Sequence, residues 1–418
     1  MRIFQLEISE EAGEACAAVR VEVSRARTEF PEKLWFRFPR HYLSQISQDM
    51  NAFATALLPL AMYLGEDLHV EGALSPRLLQ GLNEYQLIQS GWLPNPFRPI
   101  TIHCEQLQAS KATSEQDAVA CSFSGGVDSF HTLRRHLAEN EPIPGFRITH
   151  CLMINGFDAD TDMDNSGSFS KIRQSIGSAI EGRGLELIVC RSNYMSFSDP
   201  NILKLTFAAM LAAPALALGG LFSYFFIPTS YRFDKFFRDG SHLMMDHLIS
   251  TESMQTIHDS AHLDRPQRTA AIADWDAAHR ALRVCFNATS FNDDSNTIIN
   301  CCRCEKCIRT MKTLEILGRL GDFETFPRRA GHAAVWSCYY GDKGARIHGM
   351  EVMKLAWQHQ KWSICLDYGI AMVLSMITKW PRAGLQKMHI FLEERSEAYA
   401  SNIRRLFPSL RRRAYWIR

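Results

Sequence analysis

The run Ser122-Phe123-Ser124-Gly125-Gly126-Val127-Asp128-Ser129 sets serine hydroxyls, two adjacent glycines and one carboxylate between an apolar stretch, Val119-Ala120-Cys121, and a helical pattern that begins near Phe130. Adjacent glycines let a chain turn sharply off a strand end, so that several backbone N–H groups and a helix N-terminus can face one anion. Ser124 and Ser129 add hydroxyl donors. Asp128 is poor company for a phosphate unless a cation stands between them, so its expected task is to hold Mg2+ against a triphosphate. The lysine of G-x-x-x-x-G-K-[ST], which reaches the β- and γ-phosphates, is missing. A loop without it suits pyrophosphate as a leaving group better than γ-phosphoryl transfer. Residues 122 to 129 are therefore expected to bind nucleotide, with Ser124, Asp128 and Ser129 nearest the chemistry.

The second constellation is Cys301-Cys302-Arg303-Cys304-Glu305-Lys306-Cys307, with Cys285 upstream of it. Thiolates at Cys301, Cys304 and Cys307 can wrap one ion, and Cys285 completes a tetrahedral four-cysteine site suited to zinc. Cys302 breaks the regular spacing and is expected to stand aside. An iron–sulfur cluster on the same cysteines is the competing expectation, because soft thiolates suit both.

These residues need elements to position them. The middle of the chain alternates strand Val119 to Phe123, helix Phe130 to Glu139, strand Thr149 to Ile154, helix Phe169 to Gly182 and strand Leu185 to Cys190. An Ala-rich helix follows from about Ile202 to Leu218, then strand Phe222 to Ile227 and a last strand Leu282 to Cys285. A βαβ series with right-handed crossovers makes a doubly wound parallel sheet of α/β class, whose ligands sit at the carboxyl ends of the strands. Those ends carry the Ser/Gly loop, Ile154 and Asn155 with Asp158, then Arg191 and Asn193, and Thr229-Ser230-Tyr231. Ile154, Asn155 and Asp158 are expected at the nucleotide. Arg191, Asn193, His242 and Arg265 are the candidates for substrate binding. The loop from Asp158 to Gly167 looks at first like a calcium site, but the twelfth residue from Asp162 is Arg173, where a bidentate Glu is required.

At 418 residues with 46% apolar side chains, the chain has material for several cores. Four regions are expected: an N-terminal α+β domain over 1–112, a nucleotide-binding domain over 113–235, a substrate and zinc region over 236–325, and a helical C-terminal region with a basic tail over 326–418. The N-terminal domain contains the Trp35 to Pro39 run, an apolar helix near Phe53 to Met62, and strands at His69 to Glu71 and Ile100 to His103. The net charge of +1 gives no global field that favours nucleic acid. The twelve cysteines and the polar start predict a cytoplasmic protein whose thiols are free or metal-bound. From Leu205 to Tyr231 no charge occurs, but Pro214, Gly219 and Gly220 interrupt the stretch, so a buried helix and a central strand are expected there rather than a membrane span. A homodimer is compatible with all of this.

The Ser124-Gly125-Gly126-Val127-Asp128-Ser129 motif resembles the SGGxDS signature of the PP-loop ATP pyrophosphatases. Together with Cys285, the cysteine trio and Lys306-Cys307-Ile308-Arg309-Thr310-Met311, it resembles the 7-cyano-7-deazaguanine synthase (QueC-like) branch over roughly Asp117 to Leu320. The resemblance implies a Rossmann-like PP-loop (HUP) fold, with ATP and Mg2+ at Ser124, Gly125, Gly126, Asp128 and Ser129 and structural Zn2+ at Cys285, Cys301, Cys304 and Cys307. It further implies a ligase that adenylates the carboxylate of a deazaguanine-like small molecule and lets nitrogen displace AMP, giving an amide and then a nitrile. The chain departs from that branch in its large flanking regions and in the longer interval from Cys285 to the trio. Such proteins also occur in antiphage cassettes, where the resemblance would imply conjugation to a partner protein. Two other readings remain at this stage, a PP-loop tRNA sulfurtransferase with an iron–sulfur cluster and a nucleotide sensor without catalysis.

Overall fold

A computed structural model of the chain describes residues 1–25, 30–111, 118–157, 167–199, 201–235, 239–285, 290–291 and 298–378. Its strands are β1 (Arg2–Glu11), β2 (Glu14–Glu22), β3 (Lys33–Pro39), β4 (Leu68–Leu74), β5 (Ile102–Leu107), β6 (Ala118–Ser122), β7 (His150–Asn155), β8 (Glu186–Ser192), β9 (Phe222–Pro228) and β10 (Gln255–Asp259). The helices are α1 (Asn51–Leu64), α2 (Pro76–Trp92), α3 (Val127–Arg135), α4 (Gly167–Ile180), α5 (Phe207–Ala217), α6 (Arg265–Ala271), α7 (Asp276–Ala281), α8 (Glu305–Ile316), α9 (His332–Trp336), α10 (Lys343–Gln358) and α11 (Trp362–Ile377).

These ten strands form one sheet in the order β10-β9-β6-β7-β8-β3-β2-β1-β4-β5, and two further short strands, Ser290–Phe291 and Ile298–Ile299, pair antiparallel as a separate sheet. The first five in that order are parallel throughout. The chain runs outward from β6 through β7 to β8, then returns to the other side of β6 for β9 and β10. With right-handed crossovers, that reversal puts the connections on opposite faces of the sheet and opens a crevice beyond the carboxyl ends of β6 and β9. Strand β6 is buried along its whole length, which is why Ala118 to Ser122 reads as an uninterrupted small apolar run.

The sheet does not stop where the first domain was expected to end. β3 pairs antiparallel with β8 through Phe36 and Ser192, and β2 and β1 follow it. An unpaired β8 would leave a row of open backbone groups, and the N-terminal strands supply the partner. Residues Met1–Cys301 and Gly321–Pro327 accordingly make one compact unit, and Cys302–Leu320 with Arg328–Arg418 make a second.

Within the first unit, the uncharged stretch resolves as α5 and β9. A short 3-10 turn at Leu203–Leu205 precedes α5, so the helix starts at Phe207 rather than Ile202. α5 packs against α1, which is apolar nearly all round and ends at Gly65 in the left-handed conformation. The expected strand at Leu282 to Cys285 is not one. Its backbone donors go elsewhere: Arg283 N–H to the Gly125 carbonyl at 2.7 Å, and Val284 and Cys285 N–H to Asn300 Oδ1 at 2.9 and 3.2 Å. In the second unit, α10 packs on α8 and α11, and α9 packs on α11. No helix among the described residues is long and apolar enough to cross a membrane.

Candidate functional site

The Ser/Gly loop leaves the end of β6 and becomes α3 within four residues. Phe123 N–H still donates to the Leu152 carbonyl of β7 at 2.9 Å, so the turn begins only after it. Gly125 takes φ +75°, and a Cβ there would stand 2.8 Å from Ile176 Cδ1 of α4, so both conformation and space require glycine. Arg283 N–H clamps the Gly125 carbonyl from outside. Gly126 is the N-cap of α3, and no side chain caps the helix. The leading N–H groups of α3 and the positive end of its dipole therefore face the crevice without a carboxylate or hydroxyl cap, an arrangement that can receive an anion. Ser124 is exposed at this mouth. Ser129 is buried, and its hydroxyl donates to the Gly126 carbonyl at 3.1 Å, so it fixes the turn.

Asp128 does not stand as a lone carboxylate. Arg265 donates to Oδ2, and Arg268 Nε lies 3.1 Å from Oδ1. The two arginines sit three residues apart at the start of α6, one turn from each other on the same face. A capping box sets where that turn begins: Asp264 accepts from Gln267 N–H at 2.9 Å, and the Gln267 side chain accepts from Asp264 N–H at 2.9 Å. Arg268 is 1% exposed and also donates to the Thr229 and Ser230 carbonyls, at 2.7 and 2.9 Å. Two guanidiniums on one carboxylate leave a net positive charge beside the helix N-terminus. A dication can join Asp128 there only together with anionic groups that outweigh both arginines.

From Arg268 the polar contacts continue along the ends of β9 and β10. His258 Nε2 lies 2.8 Å from Thr229 Oγ1, and the Thr229 hydroxyl donates to the Tyr231 carbonyl. His258 Nδ1 meets Asp246 Oδ2 at 2.7 Å, and Asp246 is fully buried. Asp246 also accepts from Ser241 Oγ at 2.7 Å and from His242 N–H at 2.9 Å. Asp259, at the end of β10, accepts from Thr132, Ser260 and Arg135. Burial pushes its carboxyl up, yet hydrogen bonds from His136 and Ser260 and the charge of Arg135 hold it well below the usual carboxylate range.

Comparison of the chain with protein-family models, curated proteins and solved structures finds no match.

The residues nominated from the sequence lie in several places. Ser124, Gly125, Gly126, Asp128 and Arg265 come together at the mouth of α3. Asn155 ends β7, the neighbour of β6. It is 5% exposed, and its Oδ1 is a buried acceptor with no hydrogen-bond partner among the described residues. Ile154 precedes it. Arg191 and Asn193 meet the N-terminal strands: Arg191 pairs with Glu14 of β2 at 3.0 Å, and Asn193 accepts from Trp35 N–H of β3 at 3.0 Å and donates to the Lys33 carbonyl at 2.8 Å. His242 lies under the edge of Trp92, with ring centroids 4.9 Å apart, and burial beside His258 lowers its pKa. Its backbone N–H donates to Asp246, and its Nδ1 accepts from Met244 N–H at 3.2 Å. Asp158, the acidic loop after it, Arg238 and the basic tail lie outside the described residues.

At the second constellation, the sulfurs of Cys285, Cys301, Cys304 and Cys307 all lie within 4.8 Å of one another. A tetrahedral ion at zinc–sulfur distance holds its thiolates about 3.8 Å apart, so the four can hold one metal ion such as zinc with small adjustments. Cys304 is the N-cap of α8, and Cys307 lies in its first turn. Cys302 takes φ +53° and is not part of the group, as the spacing predicts. Asn300, 1% exposed, positions Cys285: its Oδ1 accepts from Val284 and Cys285 N–H, while its Nδ2 donates to the Leu282 and Thr325 carbonyls. Neither Asn300 nor Arg283 was nominated from the sequence. Nothing in an Asn or Arg within an irregular stretch announces that it braces a loop.

Proposed function

We propose that the loop from Ser122 to Ser129 binds the phosphate tail of ATP and that the protein adenylates a carboxylate with release of pyrophosphate, in the manner of the PP-loop enzymes its motif resembles. The observation that carries this reading is the uncapped N-terminus of α3, entered through Gly125 and Gly126 at the point where the strand order reverses, with Arg265 and Arg268 beside it. In the proposed reaction a carboxylate oxygen attacks the α-phosphorus, the bond from that phosphorus to the bridging α–β oxygen breaks, and pyrophosphate leaves. A nitrogen nucleophile then attacks the acyl carbon of the mixed anhydride, AMP departs with the former carboxylate oxygen, and the nitrogen loses a proton.

The chain's own groups suit these tasks. The α3 N–H groups and the Ser124 hydroxyl donate to phosphate oxygens, and Arg265 and Arg268 offset the charge that accumulates on pyrophosphate as it leaves. Asn155 Oδ1 is an acceptor for a nucleoside hydroxyl or amino group. Mg2+, bound through Asp128 together with the phosphates, supplies further neutralisation. Zinc at the four cysteines is assigned a structural part, since four thiolates leave no open position. The short sulfur separations favour one ion over a multi-iron cluster, and with it the ligase over the sulfurtransferase. The acyl substrate in this reading is a deazaguanine-like acid, and the acceptor is ammonia or an amine of a partner protein.

The test is nucleotide turnover by the full chain, with Mg2+ and a panel of carboxylates that includes deazapurine acids. Equimolar AMP and pyrophosphate are expected, with label from an 18O-carboxylate found in AMP. Asp128→Asn is expected to cut AMP formation about a hundredfold. Formation of ADP and phosphate instead, or ATP binding without turnover on any acid, contradicts the proposal.

A further inference from the structure

Arg268 is held beside Asp128 by the first residues after β9. Its Nη1 and Nη2 donate to the carbonyls of Thr229 and Ser230, at 2.7 and 2.9 Å, while its Nε lies 3.1 Å from Asp128 Oδ1. An arginine side chain has many rotamers to lose, so its place is set by the groups that receive its N–H donors. Two consecutive carbonyls on one guanidinium are not what a strand offers, because successive carbonyls of a strand point to opposite sides. The ladder of β9 and β10 ends with Thr229 N–H on the Asp259 carbonyl at 3.1 Å. Beyond that bond the chain has to turn for both carbonyls to reach Arg268.

The Thr229 side chain closes that turn, its hydroxyl donating to the Tyr231 carbonyl at 2.7 Å. A threonine hydroxyl has one hydrogen to give. With that hydrogen on Tyr231, the 2.8 Å contact between Thr229 Oγ1 and His258 Nε2 is made with His258 as the donor, which keeps the hydroxyl hydrogen turned toward Tyr231. The ring of His258 is oriented through Nδ1, 2.7 Å from Asp246 Oδ2. Asp246 is fixed in turn by Ser241 Oγ at 2.7 Å and His242 N–H at 2.9 Å. Thr229 is 1% exposed and Asp246 fully buried, and the His258 side chain is 7% exposed, so these groups act through Arg268 rather than on a ligand.

We propose that His258 and Thr229 are positioning residues for Arg268: His258 holds the Thr229 hydroxyl, the hydroxyl closes the turn from 229 to 231, and the turn presents the two carbonyls that aim Arg268 at the β- and γ-phosphates. The assignment rests on the reading that this mouth takes the phosphates of ATP. It is tested by calorimetric titration of the full chain with inorganic pyrophosphate and, separately, with AMP, each with Mg2+. AMP has neither a β- nor a γ-phosphate, so its affinity does not depend on where Arg268 points. Thr229→Val removes the hydroxyl at nearly constant shape, and His258→Met removes the donor at similar length. Each is expected to weaken pyrophosphate binding by about tenfold or more, the loss of one well-aligned charge-assisted hydrogen bond, while AMP stays within about threefold of the parent. Thr229→Ser keeps the hydroxyl, and His258→Gln keeps an N–H near the position of Nε2. Both are expected to bring pyrophosphate affinity back to within about threefold of the parent. The two positions are tested separately, so a variant that fails to fold at one leaves the other to decide. The proposal is overturned if Thr229→Val or His258→Met binds pyrophosphate as the parent does, if AMP and pyrophosphate weaken together, or if Thr229→Ser and His258→Gln lose as much as the apolar replacements. A parent that binds neither pyrophosphate nor ATP defeats the nucleotide reading itself, and the positioning with it, whereas a parent that binds both, with variants that match it, defeats the positioning alone.

Discussion

At the mouth of α3, polar groups are held by one another: Asp128 by Arg265 and Arg268, Arg268 by two carbonyls, Thr229 by His258, and His258 by Asp246. At the cysteines, four sulfurs crowd within 4.8 Å, a separation that deprotonated thiols tolerate only around a cation. The first region is a network of protein groups that hold one another in place. The second is a set of ligands whose geometry can hold one ion. Changes at the first are therefore expected to alter chemistry more than fold, and changes at the second the reverse.

The largest expected effect is on the cysteine side. Cys304→Ser, or prolonged chelation of the purified chain, removes one of four ligands or the ion itself. Structural zinc contributes on the order of 10 kcal/mol to small metal-folded domains, so a Tm loss above about 10 °C and falling solubility are expected. Elemental analysis should find one zinc per parent chain and less than one in the variant. A variant that lacks metal yet melts like the parent would break the contrast, because the thiols would then be packing groups.

Next in size is Gly125→Ala. The added methyl group meets Ile176 Cδ1 and forces an L side chain into φ +75°. The strain is about 1–2 kcal/mol, a few degrees of Tm, whereas AMP formation is expected to fall about a hundredfold because the α3 N–H groups are re-aimed. Unfolding of this variant at the temperature of the assay would mean that the loop holds the sheet together as well as binding ligand. Asp128→Ala is a poorer probe than the sequence suggests: it leaves two largely buried arginines beside a missing carboxylate, a change that costs about 3–5 kcal/mol by itself. Asp128→Asn keeps the shape and is the better choice.

What the sequence discloses differs between the two regions for a physical reason. The strands at Ala118, His150, Glu186 and Phe222 and the helices between them announce themselves through apolar runs and their punctuation, and the cysteine spacing is local enough to read directly. Partners distant in the chain leave no such mark. Arg191 and Asn193 stand at a strand end, where topology nominates them, but the arrival of β2 and β3 beside β8 brings Glu14 and the backbone of Lys33 and Trp35 to claim them. Leu282 to Cys285 has the composition of a strand, and only the positions of Asn300 and Gly125 reveal that its donors are already engaged. Arg265 could be nominated among many polar residues. That it and Arg268 converge on Asp128 depends on a capping box that sets the phase of α6.

The smallest expected effect sharpens the contrast by placing the pH dependence of stability. Asp239 belongs to the first region, near Asp246 and His258. Burial raises its pKa to about 7 and Asp246 adds to the rise, against the opposing pull of Ser241 N–H and His258. The unfolded chain releases this proton near the ordinary aspartate value of 3.8. Between the two values the native state therefore keeps a proton that the unfolded state has lost, and stability falls as pH rises from about 4 to 7 before levelling off. Asp239→Asn removes that slope: the variant should match the parent near pH 4 and exceed it by about 1–2 kcal/mol at pH 8, once solvent screening is allowed for. Denaturant melts at the two pH values measure it. If the variant keeps the parent's decline toward neutral pH, the titrating group lies elsewhere, and the polar network at the ends of β9 and β10 does not carry the cost assigned to it.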